Sequence, residues 1–252
     1  MLTYGTDVSS NNTIEQVNPA GTEFTIVKAT EGLNYVNPVM GDQVARAREA
    51  GRVVGWYHLL WPGNIVGQIN HFLSTIDAQP GDLLAVDWEV TTSGTLATCA
   101  EKDQALAQLK GARPSHRVLL YCDRYRWLRV DTTSDCGDGL WIADYAAPAG
   151  APGIQHPWTI HQYSASGGLD HDAYNGSLLQ LKSWAAGAPT PKPGPAPKPS
   201  PAPKPTVYIV REGDTLSSIA EEHGVTLAAL EAANHLIPNP NYIVPGWRIT
   251  IP

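Results

Sequence analysis

The residues best placed to do chemistry are Asp87 and Glu89, which close the apolar run Leu83 to Val90, LLAVDWEV. Successive side chains of a strand point to opposite faces, so the two acids share one face while Val86, Trp88 and Val90 share the other. If Leu83 to Val86 is a buried parallel strand, the pair stands at its C-terminal end, where α/β barrels and open α/β sheets keep their sites. Two neighbouring carboxyl groups suit hydrolysis of a glycosidic bond, which needs one acid to protonate the leaving oxygen and one carboxylate to stabilise the positive anomeric centre. Crowding by other carboxylates disfavours ionisation and raises a carboxyl's pKa, so one of the pair can remain a proton donor near neutrality. Glu89, longer and nearer the mouth, is the expected acid.

Other chemistries find less support. There is no GxSxG elbow and no HExxH, and His58, His116, His156, His161 and His171 are not spaced as a helical ligand pair, so neither a metal nor any other cofactor is expected. His161, between Ile160 and Gln162, reads as packing. Cys99, Cys122 and Cys136 make an odd count without CxxC spacing, which argues for buried thiols, with a Cys122 to Cys136 bridge as the alternative. Lys plus Arg number 17 against 24 Asp plus Glu, a net charge of -7, so nucleic acid is not an expected partner. No apolar run approaches the roughly 20 residues of a membrane span, so no membrane insertion is expected. The opening MLTYGTDVSS lacks the basic and apolar regions of a signal peptide.

The elements that must position these acids follow in order. Pro occupies every odd position from 189 to 205, which reads as an extended linker at 188–206 between domains at 1–187 and 207–252. In the first domain, strands are expected at Leu2 to Val8, Phe24 to Ala29, Arg52 to Leu60, Leu83 to Val90, Arg117 to Tyr121, Leu140 to Tyr145, Trp158 to Tyr163 and Leu169 to Tyr174. Helices are expected at Asn37 to Gly51, around Ile65 to Ile76, at Thr95 to Gly111 and at Ser177 to Ala186, with a short turn over Asp123 to Val130. Eight strands with early alternation indicate a closed α/β barrel, and about 187 residues, against the roughly 250 of a regular one, imply that the last three strands lack helices. The expected C-terminal strand ends carry Asp7, Thr30, Glu31, Tyr57, His58, Asp87, Glu89, Tyr121, Asp144, Tyr145, Gln162, Tyr163 and Asp170. Such an acidic, aromatic cleft suits a sugar.

These residues carry a resemblance. GTDVSS at Asp7, KATEG with Tyr35 and Asn37, VGWYH at Tyr57, the DxE of Asp87 and Glu89, LWIADY at Asp144, HQYS at Gln162 and LDHDAYNG at Asp170 resemble, in order, the motifs of family 25 glycoside hydrolases, the muramidase type of lysozyme often found in phage endolysins. The resemblance implies an irregular TIM-like (β/α)5(β)3 barrel that cleaves the β-1,4 bond from N-acetylmuramic acid to N-acetylglucosamine in bacterial peptidoglycan, with retention. It makes Glu89 acid and base, has Asp87 orient the substrate's acetamido group as nucleophile, and gives Asp7 and Asp170 as further site carboxylates. Tyr57, Tyr121, Trp141, Asp144, Gln162 and Tyr163 are the expected substrate contacts. Two departures are Asp172, where the family usually has Asn, and the pair Asn12-Thr13.

Residues 207–252 resemble a single LysM module, a small α+β βααβ unit that typically binds N-acetylglucosamine-containing glycans. Expected contacts are Gly213, Asp214, Thr215 and Leu216 in one loop and Asn239, Asn241 and Ile243 in another. With two basic against five acidic residues, attraction to anionic wall polymers cannot be its mechanism. The expected protein is therefore a monomeric wall hydrolase, a phage endolysin made in the host cytoplasm and released through a membrane pore. The alternatives are a carbohydrate-binding protein on a dead barrel, which would usually have lost Asp87 or Glu89, and a chitinase-like N-acetylglucosaminidase, against which stands the absence of a longer DxxDxDxE signature.

Overall fold

Eight strands close into a barrel whose inward and outward rows are both largely apolar, although the first and last strands also turn Asp7, Asp170 and Asp172 inward. In the computed structural model, which describes residues 1–187 and 206–251 except 212, 224, 226 and 235–242, the strands are β1 (Thr3–Val8), β2 (Phe24–Glu31), β3 (Tyr35–Val36), β4 (Val53–Leu59), β5 (Leu83–Asp87), β6 (Arg117–Asp123), β7 (Gly139–Ala143), β8 (Ile160–Ser164) and β9 (Asp170–Tyr174). The sheet order is β1-β9-β8-β7-β6-β5-β4-β2, closed by β1 against β2, with β3 a short hairpin partner of β2. All barrel pairs are parallel except those of β9, which runs antiparallel to both β8 and β1. The irregular barrel expected from the sequence is therefore present. The expected third, sixth and seventh strands reach one or two residues beyond the observed β4, β7 and β8, within the usual fraying of element ends.

The outward row packs under helices α1 (Met40–Glu49), α2 (Ile65–Thr75), α3 (Cys99–Ala112) and α4 (Arg124–Arg129), while only a 3₁₀ turn at Ile14–Val17 joins β1 to β2. Leu84, Val86 and Trp88 of the β5 segment belong to this outer core with Ile69 and Phe72 of α2 and Leu106 and Leu109 of α3. Inside the barrel lie Phe24, Ile26, Leu83, Ala85, Leu119 and Ile160, and α5 (Leu178–Ala185) adds Leu181 and Trp184 to the same core. Gly5 is required in that interior, because a Cβ there would stand 2.5 Å from the Phe24 ring. Helix starts follow sequence signals: Thr98 and Glu101 form a capping box on α3, and Ser177 with Gln180 another on α5. Cys99, Cys122 and Cys136 are free thiols, so the alternative bridge does not form.

The chain divides into two compact units. The smaller pairs β10 (Thr206–Ile209) antiparallel with β11 (Arg248–Ile251), around α6 (Leu216–Glu222) and α7 (Leu227–Ala233). Thr206, expected to end the linker, begins β10 instead. The proline-rich stretch 188–205 lies outside the described residues.

Candidate active site

The inward row of β5 reads Leu83, Ala85, Asp87, so the strand that fills the barrel interior with two apolar groups ends on a carboxylate. Asp87 stands level with Leu59 of β4 and Tyr121 of β6, and the Leu60 and Tyr121 backbones extend the ladder past it. Glu89, two residues on, reaches the same side. Between them Trp88 is fully buried on the opposite face, where its indole N–H donates to the Ala97 carbonyl at 2.6 Å. Nine residues line one cavity of about 190 Å³: Asp7, Tyr57, Asp87, Glu89, Tyr121, Trp141, Tyr145, Gln162 and Asp170. All four expected carboxylates meet there. Asp170 was read as a C-terminal strand end, but it is the first residue of β9, and only because β9 runs antiparallel does it pair with Asp7 at the barrel mouth.

A hydrogen-bond network organises the cavity. Gln162 Nε2 donates to Asp7 Oδ2 at 2.7 Å, and Gln162 Oε1 accepts the hydroxyls of Tyr121 at 2.8 Å and Tyr145 at 2.6 Å. The Trp141 ring packs edge-on against Tyr121 at 4.7 Å and Tyr57 at 6.1 Å. Burial, followed by the Glu89 charge, pushes Asp87 well above the usual carboxylate range, with Lys28 and Arg126 opposing. Glu89 is also raised, by burial first, against the pull of Arg126 and Lys28. Desolvation thus leads where the sequence argument gave crowding the lead. One buried oxygen, Asp87 Oδ1, has no hydrogen-bond partner among the described residues.

Two expected substrate contacts are corrected. Asp144 lies on the outward row, one residue past the inward Ala143 position; its oxygens accept the Gly153 and Ala146 amides, which fastens the loop after β7. Tyr145 instead lines the cavity, on the same parity as the inward Trp141 and Ala143. Tyr163 follows the inward Gln162 and so faces out, where its ring meets Tyr4, His161 and His171. His161 is buried with ring nitrogens bonded to the Gly150 amide and the Asp144 carbonyl, as packing requires.

Lys28 and Arg126 were not among the residues expected at the site, and Glu31 was expected only as a strand end. A β-bulge between Lys28 and Thr30 lets Thr30 bond His58 on the outer side while Glu31 pairs with Lys28 at 2.7 Å. Glu31 also accepts the Trp61 indole at 3.0 Å and helps to line a second hollow of about 350 Å³ over the ends of β2 and β4. The alternation Phe24, Ile26, Lys28 carried the signal for the lysine; the bulge carried none.

In the small unit, Leu216 is 3% exposed and packs with Ile219 and Leu230, so it is core and not a surface contact. Thr215 accepts the Ser218 amide as cap of α6, Asp214 accepts the Tyr208 hydroxyl and the Arg211 amide, and Gly213 is exposed with φ +90°. Ile243 is half-buried against the same core. Asn239 and Asn241 lie outside the described residues.

A closed α/β barrel whose parallel strands end in paired carboxylates and aromatic rings is built as a glycoside hydrolase. The model for glycosyl hydrolases family 25 matches residues 6–172 and that for the LysM domain residues 208–252; the chain belongs to glycosyl hydrolases family 25 and carries a LysM domain. It is 30% identical over 158 residues to the autolytic lysozyme of Clostridium acetobutylicum, covering 61% of this chain and 47% of that protein. It is 27% identical over 195 residues to lysozyme M1 of Streptomyces globisporus, covering 67% of this chain and 65% of that one. The chain thus spans about half the length of the first relative and just under two thirds of the second. The crystal structure of a bacterial lysozyme from Streptomyces coelicolor superposes with a TM-score of 0.65 at 25% identity, covering 74% of this chain and 98% of that one.

Proposed function

We propose that the chain is a muramidase that cleaves the β-1,4 bond between N-acetylmuramic acid and N-acetylglucosamine in bacterial peptidoglycan, with retention. The observation that carries this reading is the juxtaposition of Asp87 and Glu89 in one polar cavity, both with raised proton affinity and with Asp87 Oδ1 buried and unbonded. A buried acceptor without a donor is costly until a ligand supplies one. The N–H of a substrate acetamido group would be such a donor. Its donation would favour ionised Asp87, so the proton retained by the pair passes to Glu89, the group that then protonates the leaving oxygen. Held by Asp87, the acetamido oxygen attacks the anomeric carbon, the leaving sugar takes the Glu89 proton, and Glu89 as base activates the water that opens the cyclic intermediate. Two displacements at one carbon retain its configuration.

The family membership, the LysM match and the names of the lysozyme relatives support peptidoglycan as the partner, acted on at the bacterial wall. The domains are read as barrel at 1–187, tether at 188–206 and wall-binding module from 207, in a monomer with the role of a phage endolysin in host lysis. In the module the exposed Gly213 turn with Asp214 and Thr215, together with Asn239, Asn241 and Ile243, is the proposed glycan contact. Glu89→Gln keeps size and hydrogen bonding but removes the transferable proton, so turnover on purified peptidoglycan should fall on the order of 10² to 10⁴-fold with an unchanged melting temperature. Wild-type turnover by folded Glu89→Gln would refute the assignment.

A further inference from the structure

Asp172 is a buried acid for which the mechanism above has no task. It is 0% exposed, on the inward row of β9, level with Gly5 and diagonal to Asp7. One oxygen, Oδ1, accepts the Trp141 indole N–H at 2.8 Å. The other, Oδ2, receives no N–H from the described residues. What lies in hydrogen-bonding reach is the carboxyl of Asp7, itself 5% exposed and held on its far side by Gln162. Two ionised carboxylates could not sit there, because each would lack a counterion and repel the other. With a single proton between them the arrangement is satisfied: one acid donates, the other accepts, and the Trp141 and Gln162 donors serve the outer oxygens.

We propose that Asp172 is a positioning residue of this site, which shares one proton with Asp7 and thereby fixes Asp7 against Gln162 and, through Gln162, the hydroxyls of Tyr121 and Tyr145. The unit is a chain of five side chains across the cavity wall, and it is ordered only while that proton is present. The surrounding groups agree. On β9 the neighbour is Asp170, a further acid; His171 of the same strand acts on Asp170. From β7 comes Trp141, from β8 Gln162, and Tyr57, Tyr121 and Tyr145 face the pair as phenols whose own ionisation burial and the acids push up. The leading influences on the pair are burial and acids, none of them a cation: burial raises Asp172 to about 7, and burial and Asp172 raise Asp7 well above its usual range.

Linkage fixes the sign. A carboxyl whose folded value is raised contributes stability that is fully present below its unfolded value of 3.8 and is lost as pH rises through the folded value of about 7. Asp172→Asn replaces the shared proton with a permanent amide donor to Asp7. Its melting temperature should therefore gain on that of the wild type as pH rises from 3.8 towards about 7.

The inference concerns the site of the proposed muramidase, but its direct test needs no substrate. Carboxyl-carbon NMR on the full chain labelled in aspartate should show, in the wild type, one carboxyl of Asp7 and Asp172 still protonated between 3.8 and about 7, and Asp172→Asn should lose that signal. The alkaline limb of kcat/KM should also flatten, from about two decades per pH unit, when Glu89 and the pair both deprotonate, to about one. Should Asp172→Asn fail to fold, Trp141→Phe removes the donor that favours ionised Asp172 and should move the same titration step to higher pH. Both acids titrating near 3.8 in the wild type, an unaltered limb in folded Asp172→Asn, or no movement in Trp141→Phe would overturn the proposal. An inactive wild type with the shared-proton signal present would instead count against the muramidase reading alone.

Discussion

Asp87 and Glu89 differ in what surrounds them more than in chemistry. Asp87 is 5% exposed at the end of an apolar row, whereas Glu89 is half-buried and one bond longer, the difference on which their proposed roles of acceptor and acid rest. If Asp87 holds the acetamido group, peptidoglycan stripped of its N-acetyl groups should be a poor substrate for the wild type, and Asp87→Asn should slow acetylated glycan while changing the deacetylated one little. Equal cleavage rates of normal and deacetylated peptidoglycan by the wild type would reject substrate assistance and leave Asp87 as a direct nucleophile. At this scale the sequence was informative wherever strand alternation held. Asp87, Glu89, Tyr57, Tyr121, Trp141 and Gln162 all emerge on the side the period of two requires. Reading strand ends without that parity is what misplaced Asp144 and Tyr163.

Elements were legible where a face or a cap marks them, as with α2, whose Ile65, Ile69 and Phe72 recur at helical spacing, and α3 behind its Thr98 cap. The direction of β9 was not legible, since the connection from β8 has no helix to enforce a parallel return, and β3 is two residues long. The β2 bulge left no mark in the sequence either. Beneath the site, α3 sends Lys102 into the outer core, fully buried, to meet Asp131 and Asp103 at 3.0 Å each and the Asp135 carbonyl at 2.8 Å. The ammonium also lies 5.6 Å from the centre of the Trp88 ring, so it ties α3 and the loop before β7 to the residue between the two acids. Lys102→Ala strands the Asp131 carboxylate, whose side chain is 1% exposed, and should cost about 3–5 kcal/mol of barrel stability in denaturant unfolding. A loss within about 0.5 kcal/mol, the ordinary range of surface substitutions, would show that water replaces the lysine freely.

At the scale of the molecule, the proposed function divides the work of acting on an insoluble wall between a barrel that would cut glycan and a module that would grip it. The 17 residues from Pro189 to Pro205 would span roughly 50 Å as polyproline II at about 3.1 Å each. Tethering raises local concentration without changing the barrel. A chain ended after Gly187 should therefore match the full chain on short soluble glycans and fall behind it on intact walls at low enzyme concentration, with the gap closing as concentration rises. Equal wall-clearing curves throughout would show that the module does not target, and a matching loss on soluble glycan would show that it supports the barrel instead. The most direct measurement is the identity of the new reducing-end sugar when the full chain digests purified peptidoglycan, with Glu89→Gln alongside. N-acetylmuramic acid ends from the wild type, and none above background from the variant, are the predicted result; N-acetylglucosamine ends, or no new ends from the wild type, would contradict it.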